Sequence, residues 1–467
     1  MNGIVAYGSY LPYYRLDRKA IGAALGASAG SGTRSVASYD EDTTSMAVEA
    51  ARAALSGVAV TPAAVYFATA SPAYLDKTNA TAIHAALDLE STAAAFDMAG
   101  SVRSGMGALR AALDAGRPTL AAVSDVRTGL PGGGDEREGG DAAAAFLCAA
   151  GDAGAPVLAT PIAWGSASAE FLERWRVPGR SASQQWEERF GEHVYLPLAE
   201  AALTEALKQA GVTAGEVDHL LVAGTHGRAV KRAAGAAGTR KGSVADDLTG
   251  VIGNTGAAHP GLLLADALDR AEPEQIIALV TLADGADAVI WRTTGALASR
   301  RARTPVATQA AGGGNVSYAT FLTWRGFLDR EPPRRPDPER PAAPPSFRRE
   351  AWKFGFTGSR CQACGARHLP PQRVCVKCQA VDRMAPERMT DVPATISTYT
   401  VDRLAYSLSP PVVAAVIDFE GGGRFQCELT DVDPAAIKIG DRVQMTFRRL
   451  FTANGVHNYF WKARPPR

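Results

Sequence analysis

The sequence predicts an α/β body followed by a zinc ribbon and a small β-barrel, and three observations predict it. Short apolar runs alternate with alanine-rich amphipathic segments up to about residue 330. Two Cys-x-x-Cys pairs then lie close together, Cys361/Cys364 and Cys375/Cys378. Five short β-rich runs, separated by Gly, Pro and Asp turns, occupy the chain from residue 394 on.

In the body, Ala64–Ala68, Leu220–Ala223 and Ile276–Val280 read as buried strands. Thr44–Leu55, Gly105–Ala115, Leu198–Ala210 and Pro260–Leu268 read as helices between them. This alternation implies a largely parallel sheet. Residues 330–346 are rich in proline and charge, so an extended, semi-rigid linker is expected there. It divides the chain into a body over 1–329, a ribbon over 347–385 and a barrel over 386–467. The runs Ala394–Asp402, Val412–Phe419, Arg424–Leu429, Asp441–Phe447 and His457–Ala463 suit a five-stranded Greek-key barrel of the OB type.

The two cysteine pairs place four thiolates within reach of one tetrahedral zinc, with ten residues between the pairs and a Pro370-Pro371 turn to fold them back. Four thiolates close the coordination shell, so the zinc is structural rather than catalytic. A thioredoxin-like redox pair would need a βαβ context that this stretch lacks. His368 lies between the pairs and reads as an exposed loop residue. Cys148 and Cys427 are isolated.

The chain has 467 residues, enough for two or three domains, and a net charge of +1. So small a charge supplies no field for nucleic acid or a membrane surface. No apolar run has the length of a membrane span, and the N-terminus has no signal-peptide pattern. Free thiols and a four-cysteine zinc site fit a reducing cytoplasm. The barrel leans basic but shows no aromatic stripe for stacking bases.

Several stretches together resemble 3-hydroxy-3-methylglutaryl-CoA (HMG-CoA) synthases. These are Tyr7-Gly8-Ser9-Tyr10-Leu11-Pro12 with Arg15, Asp40 to Ala47, and Trp175-Arg176 with Trp186 to Gly191. Gly253-Asn254-Thr255-Gly256 and Asp284-Gly285-Ala286-Asp287-Ala288 complete the set. The resemblance implies the thiolase fold, two similar βαβαβαββ halves. The tail resembles zinc-ribbon/OB modules of DUF35 type through Arg360-Cys361, Cys364-Gly365, Pro370-Pro371, Pro411 to Ala414 and Asp418 to Gly421. Such modules are often separate chains, and fusion fixes their pairing and raises effective concentration.

The resemblance also implies a site. Its nucleophilic cysteine begins a Cys-x-x-Gly-x-x-Ala-Leu run, which here reads Val102 to Leu109. Val102 occupies the nucleophile position and can neither attack nor carry an acyl group. Ser101 and Ser104 have no base nearby in sequence to activate them. The family glutamate is replaced by alanine in Ala70 to Lys77, leaving Tyr74 and Asp76 as proton donors or acceptors. His226 and Asn254 match the family's pair that points at the thioester oxygen. A hydrogen-bonded structural histidine is the competing reading of His226. His259 is either a third polar group or a helix-start residue before Pro260. Lys231, Arg232, Arg240 and Lys241 form a loop that either grips the phosphates of coenzyme A or is simply solvated. Cys148, in an apolar strand-like run, reads as an inert core thiol.

Three functions follow as expectations. The first is aldol, retro-aldol or decarboxylation chemistry on an acyl-CoA through a thioester enolate; steroid side-chain retro-aldolases, thiolase-like proteins paired with such tails, are the precedent the resemblance suggests. The second is a condensing acyltransferase, which lacks a visible nucleophile. The third is a non-catalytic scaffold for an active thiolase-pathway protein. The resemblance further implies a homodimer and a coenzyme A thioester as substrate.

Overall fold

The computed structural model describes residues 2–467 apart from 152, 335 and 337. The described residues pack as two compact units. One comprises residues 1–37, 42–81 and 90–321, and the other residues 38–41, 82–89 and 322–467.

The first unit is built on a nine-stranded sheet. Its strands are β1 (Asn2–Tyr10), β2 (Ala64–Thr69), β3 (Ala94–Ala99), β4 (Thr119–Val126), β5 (Asp141–Ala150), β6 (Ala159–Ser168), β7 (His219–Gly224), β8 (Ile276–Leu282) and β9 (Gly285–Thr293). They lie in the order β7-β8-β9-β6-β1-β5-β4-β2-β3. The order repeats. In each half the first strand (β1, β6) pairs antiparallel with the last (β5, β9), and the inner strands follow outward. A single registered pair, Ile4 with Ala159, joins the halves.

The sheet is mixed, not largely parallel as the alternation suggested. Only β2/β3, β2/β4 and β7/β8 are parallel. Those are the pairs whose strands are joined by crossover helices. The central strands are long apolar runs, and β8 and β9 are separated only by Ala283-Asp284, a hairpin connection that demands antiparallel pairing.

Five helices matter for the site. They are α1 (Thr43–Leu55), α2 (Ser104–Asp114), α3 (Glu188–Ala210), α4 (Gly227–Ala236) and α5 (His259–Arg270). Asp42 caps α1 by accepting from the Ser45 N–H at 2.8 Å, with Ser45 reciprocating in a capping box. α2 begins where Gly105 meets the Ala257 carbonyl; a Cβ there would stand 2.3 Å from that oxygen. α3 starts ten residues before the expected Leu198 and carries Pro197 inside it. The helix runs through that proline and stops at Gly211, whose φ of +64° only glycine adopts freely.

The second unit contains a three-stranded ribbon, β10 (Thr357–Cys361), β11 (Arg367–His368) and β12 (Met384–Arg388). A closed five-stranded barrel follows: β13 (Ala394–Asp402), β14 (Val412–Phe419), β15 (Arg424–Leu429), β16 (Arg442–Ala453) and β17 (Val456–Arg464). β16 runs six residues past the expected Phe447. Asn454-Gly455, with φ of +48° and +75°, makes a two-residue hairpin turn that fixes the β16/β17 register. Burial alternates along β14, as a half-buried barrel strand requires. The linker expected to stay extended to Pro345 ends instead in a helix, Ala343–Arg348, with proline in its first turn, where no N–H is needed. Arg335 and Asp337 of that linker lie outside the described residues.

Charge is buried in the second unit. Arg448 is fully buried and reaches Glu41 at 2.7 Å, Asp431 at 2.6 Å and Asp40 at 3.4 Å. Lys462 bridges Asp40 at 3.0 Å and Glu428 at 2.8 Å. Burial pushes the Asp40 carboxyl up, but Lys462 and Arg448 outweigh it and hold it well below the carboxylate range.

Candidate functional site

Two sites emerge, one in each unit. In the second unit the sulfurs of Cys361, Cys364, Cys375 and Cys378 all lie within 4.8 Å of one another. Each pair forms a knuckle. The Gly365 N–H donates to the Cys361 carbonyl and the Gln379 N–H to the Cys375 carbonyl, both at 2.8 Å. The residue after each second cysteine takes a left-handed conformation, Gly365 at +76° and Gln379 at +61°. The Cys378 N–H points at the Cys375 sulfur at 3.4 Å. Backbone donors of this kind stabilise thiolates, and Cys375 is lowered to about 5 chiefly by its backbone hydrogen bond from Cys378. This donor set fits a tetrahedral metal with no open position. His368 is not the exposed loop residue expected; it is 6% exposed on β11, beside Cys375. The ribbon strand that carries it packs that face inward.

The first unit holds a cavity of about 640 Å³. Its walls include the loop after β2, the turn before α2, the segment from Glu173 to Arg180 and the β8–β9 turn, together with Arg127, Ser183, Tyr195 of α3 and Thr225 after β7. Ser101 and Val102 line it from the turn that starts α2. The Arg103 N–H donates to Ser101 Oγ at 3.0 Å, holding that turn. Arg103 then forks onto Asp287 at 2.7 and 3.0 Å and donates to the Asp284 carbonyl at 2.9 Å. This clamp ties the start of α2 to the β8–β9 hairpin, so the cavity wall at Val102 and Asp284 is rigid.

Glu173, Tyr195 and Asp284 supply the acidic groups of the cavity. Glu173 is 3% exposed and its Oε2 has no hydrogen-bond partner. Burial raises its pKa, only partly opposed by Arg174 and His226. Burial and then the Glu173 charge raise the Tyr195 phenol, which is 2% exposed. Asp284 sits at a φ of +47° and is raised by burial against the pull of Arg103. Four arginines, Arg127, Arg174, Arg176 and Arg180, also line the cavity. Arg174 donates twice to Asp135 at 2.8 Å, Arg127 donates to it at 3.0 Å, and Arg176 donates to Ser71 Oγ at 3.2 Å and to the Ala70 carbonyl.

The other expected residues take different places. His226 caps α4. The Ala229 N–H donates to its Nδ1 at 3.1 Å, so Nε2 carries the proton and donates to the Glu188 carbonyl at 2.8 Å. Both ring nitrogens are therefore engaged, and His226 stands behind the wall formed by Glu173 and Tyr195. Gly191 allows this approach: a Cβ there would lie 2.6 Å from His226 Cδ2 and 2.7 Å from Glu173 Cγ. Asn254 donates to the Gly224 carbonyl at 2.8 Å and accepts from the Gly256 N–H at 3.0 Å. Neither side chain lines the cavity that Val102 lines. His259 begins α5, is buried, and accepts from the Thr255 N–H at 3.3 Å; burial lowers it to about 4, so it is neutral.

Tyr74 is half-buried and exchanges backbone hydrogen bonds with the Asn79 side chain, while Asp76 is exposed. Lys231, Arg232, Arg240 and Lys241 are all exposed; Arg232 pairs with Glu192 and Arg240 with Asp218. Cys148 is fully buried in β5, and burial alone pushes its thiol far up. Sequence reasoning passed over Glu173, Tyr195 and the Asp284 side chain. Glu173 is two residues from Trp175, but no spacing links it to residues 102, 195 or 284.

The comparisons with known proteins bear on both units. The hydroxymethylglutaryl-CoA synthase of Methanothermobacter thermautotrophicus is 28% identical over 347 residues, spanning 70% of this chain and 99% of that protein. The chain is HMG-CoA synthase-like. Its tail is similar to a DUF35 domain-containing scaffold protein of the same organism, 29% identical over 118 residues, 24% of this chain and 88% of that one. Residues 388–448 match the family described as ChsH2, C-terminal OB-fold domain. Among solved structures, an HMG-CoA synthase complexed with CoA superposes at a TM-score of 0.59 with 17% identity, covering 69% of this chain and 89% of that one. That likeness establishes a thiolase-like fold. No helix among the described residues is long and apolar enough to cross a membrane.

Proposed function

We propose that the first unit makes or breaks a carbon–carbon bond on an acyl-CoA without forming an acyl-enzyme, by retro-aldol cleavage or decarboxylation through a thioester enolate. One observation carries this reading. Val102 stands where the HMG-CoA synthase resemblance places a cysteine, yet the cavity it lines stays open at about 640 Å³ and is furnished with buried ionisable groups. A unit relieved of all chemistry would have no reason to keep an unpartnered carboxylate oxygen there. Valine removes only the covalent step. Enolate formation still needs a donor for the thioester oxygen and a group that moves a proton.

In this proposal Asn254 and His226, which do not line the cavity as it stands, must turn toward it to serve as the oxygen donors. Asn254 uses one of its two amide hydrogens on Gly224. His226 must exchange the Glu188 carbonyl for the substrate. Tyr74 and Asp76 remain proposed proton carriers at the loop after β2. Lys231, Arg232, Arg240 and Lys241 are proposed to meet the phosphates of coenzyme A from the surface. The protein is proposed to be a cytoplasmic homodimer, and the four cysteines to hold one structural zinc. The donor set supplies four charges and no open site, so the zinc contributes folding and not chemistry.

A scaffold role is the second reading, and the engagement of both His226 nitrogens favours it. A condensing role finds no support in Cys148, buried away from any substrate. Incubating the purified protein with acyl-CoAs and β-hydroxyacyl-CoAs, read by mass spectrometry, decides between the readings. Shortened or decarboxylated thioesters support the enzyme. An unchanged panel supports the scaffold.

A further inference from the structure

Among the described residues of the first unit, Glu173 alone combines three properties. It is 3% exposed, it lines the cavity that Val102 lines, and its Oε2 has no partner. A buried carboxylate left without a cation or donor costs several kcal/mol, so such a group is normally paired or neutral. The neighbouring acids show the contrast. Asp287 is held by Arg103 and Ser166, and Asp135 by Arg127 and Arg174. Asp125 accepts from the Ala257 N–H at 3.0 Å.

We propose that Glu173 is the acid–base group of this cavity, carrying the proton between the β-hydroxyl of a β-hydroxyacyl thioester and the α-carbon of the released enolate. The inference rests on the thioester reading given above. The step balances without a co-reactant. The Glu173 carboxylate takes the β-hydroxyl proton, the oxygen pair forms the new carbonyl, and the Cα–Cβ bond breaks. Its electron pair enters the thioester as an enolate. The enolate carbon then recovers the same proton from the Glu173 carboxylic acid.

The surroundings suit a group that changes protonation. Arg174 and His226 favour the carboxylate, while Asp284, Asp135 and burial favour the acid. The Tyr195 hydroxyl accepts a backbone hydrogen bond at Asp284 and stays neutral beside Glu173. These opposing influences keep both forms within reach, which a shuttle requires. Gly191 packs closely against Glu173, where a Cβ would lie 2.7 Å from Glu173 Cγ, so α3 seals the side of the carboxyl that faces away from the cavity.

The test uses the full-length protein and acetyl-CoA in deuterated water. The last step run backwards exchanges the acetyl hydrogens for deuterium, which mass spectrometry counts. Wild type should exchange. Glu173→Gln should exchange about a hundredfold more slowly, with acetyl-CoA affinity unchanged, and Glu173→Asp should recover part of the rate. Exchange by Glu173→Gln at the wild-type rate overturns the assignment and leaves the thioester reading standing. Wild type that exchanges nothing overturns both.

Discussion

In the second unit, Asp40 and Asp431 are buried against Arg448 and Lys462. In the first unit, Asp125 and Glu173 are buried and Asp269 is half-buried, none with an ion pair among the described residues, and burial raises all three. The contrast separates structural charge from working charge. Arg448 and Lys462 repay the desolvation of their partners only because the geometry is closed, so that network fixes one arrangement of the barrel. Two of these three acids are satisfied as acceptors: Asp125 by Ala257, and Asp269 by Tyr7 at 2.8 Å and Val306 at 2.9 Å. Glu173 alone of the three keeps an oxygen turned to a cavity without a donor.

The largest effect should come from the metal site, where local structure is weakest without its ion. Cys364→Ser should release zinc, measured by metal analysis of freshly purified protein, and should strip hydrogen-exchange protection from β10–β12. Structural zinc in small domains contributes on the order of 10 kcal/mol, more than so small a ribbon can otherwise supply. Wild-type protein purified without zinc would break this side of the comparison.

Next comes the buried network. Asp40→Asn leaves Arg448 and Lys462 facing fewer anions and should cost about 3–5 kcal/mol in denaturant unfolding of the second unit. The sign with pH follows. Asp40 is depressed in the folded state, so its contribution is complete above the ordinary carboxylate range and disappears as pH falls through and below it. Glu173 is raised, so its sign is opposite: stability is complete at low pH and lost as pH rises past its ordinary value. Glu173→Gln should therefore match wild type in mild acid and equal or exceed it at pH 8. A Glu173→Gln protein that is much less stable at pH 8 would mean that Glu173 is a paired structural charge like Asp40.

Smaller effects test the walls. His226→Ala removes the α4 cap and should cost about 1 kcal/mol of stability, seen as a shift in the unfolding midpoint. Cys148, fully buried, and Cys427, pushed up to about 12 mainly by burial, should both resist iodoacetamide in the native protein at pH 8. Labelling at Cys148 without unfolding would show that β5 is not the closed core described.

What the sequence displays depends on how far apart the cooperating residues lie. The four cysteines occupy two turns within eighteen residues, so spacing alone announces the cluster. The strands of the barrel show because their burial alternates at period two. The end of β16 is set by the Asn454-Gly455 turn and not by the apolar pattern, which fades after Phe447. The mixed sheet was missed because fully apolar strands read alike whichever way they pair. Val102 could be placed by resemblance, since its run Gly105 to Leu109 survives. Glu173, Tyr195 and Asp284 come from a loop, a helix and a hairpin turn, and only the folded chain assembles them. His226 was legible as a position but not as a cap, because its partners Ala229 and Glu188 are backbone atoms.

The central claim is thioester chemistry without an acyl-enzyme. Intact-protein mass spectrometry during turnover of a β-hydroxyacyl-CoA that the panel shows to be cleaved tests it most directly. The account predicts an accumulating shorter acyl-CoA and a protein mass that never departs from the unmodified value. An acyl adduct that forms and decays with turnover, mapped to any residue, would contradict it and return the condensing mechanism to first place.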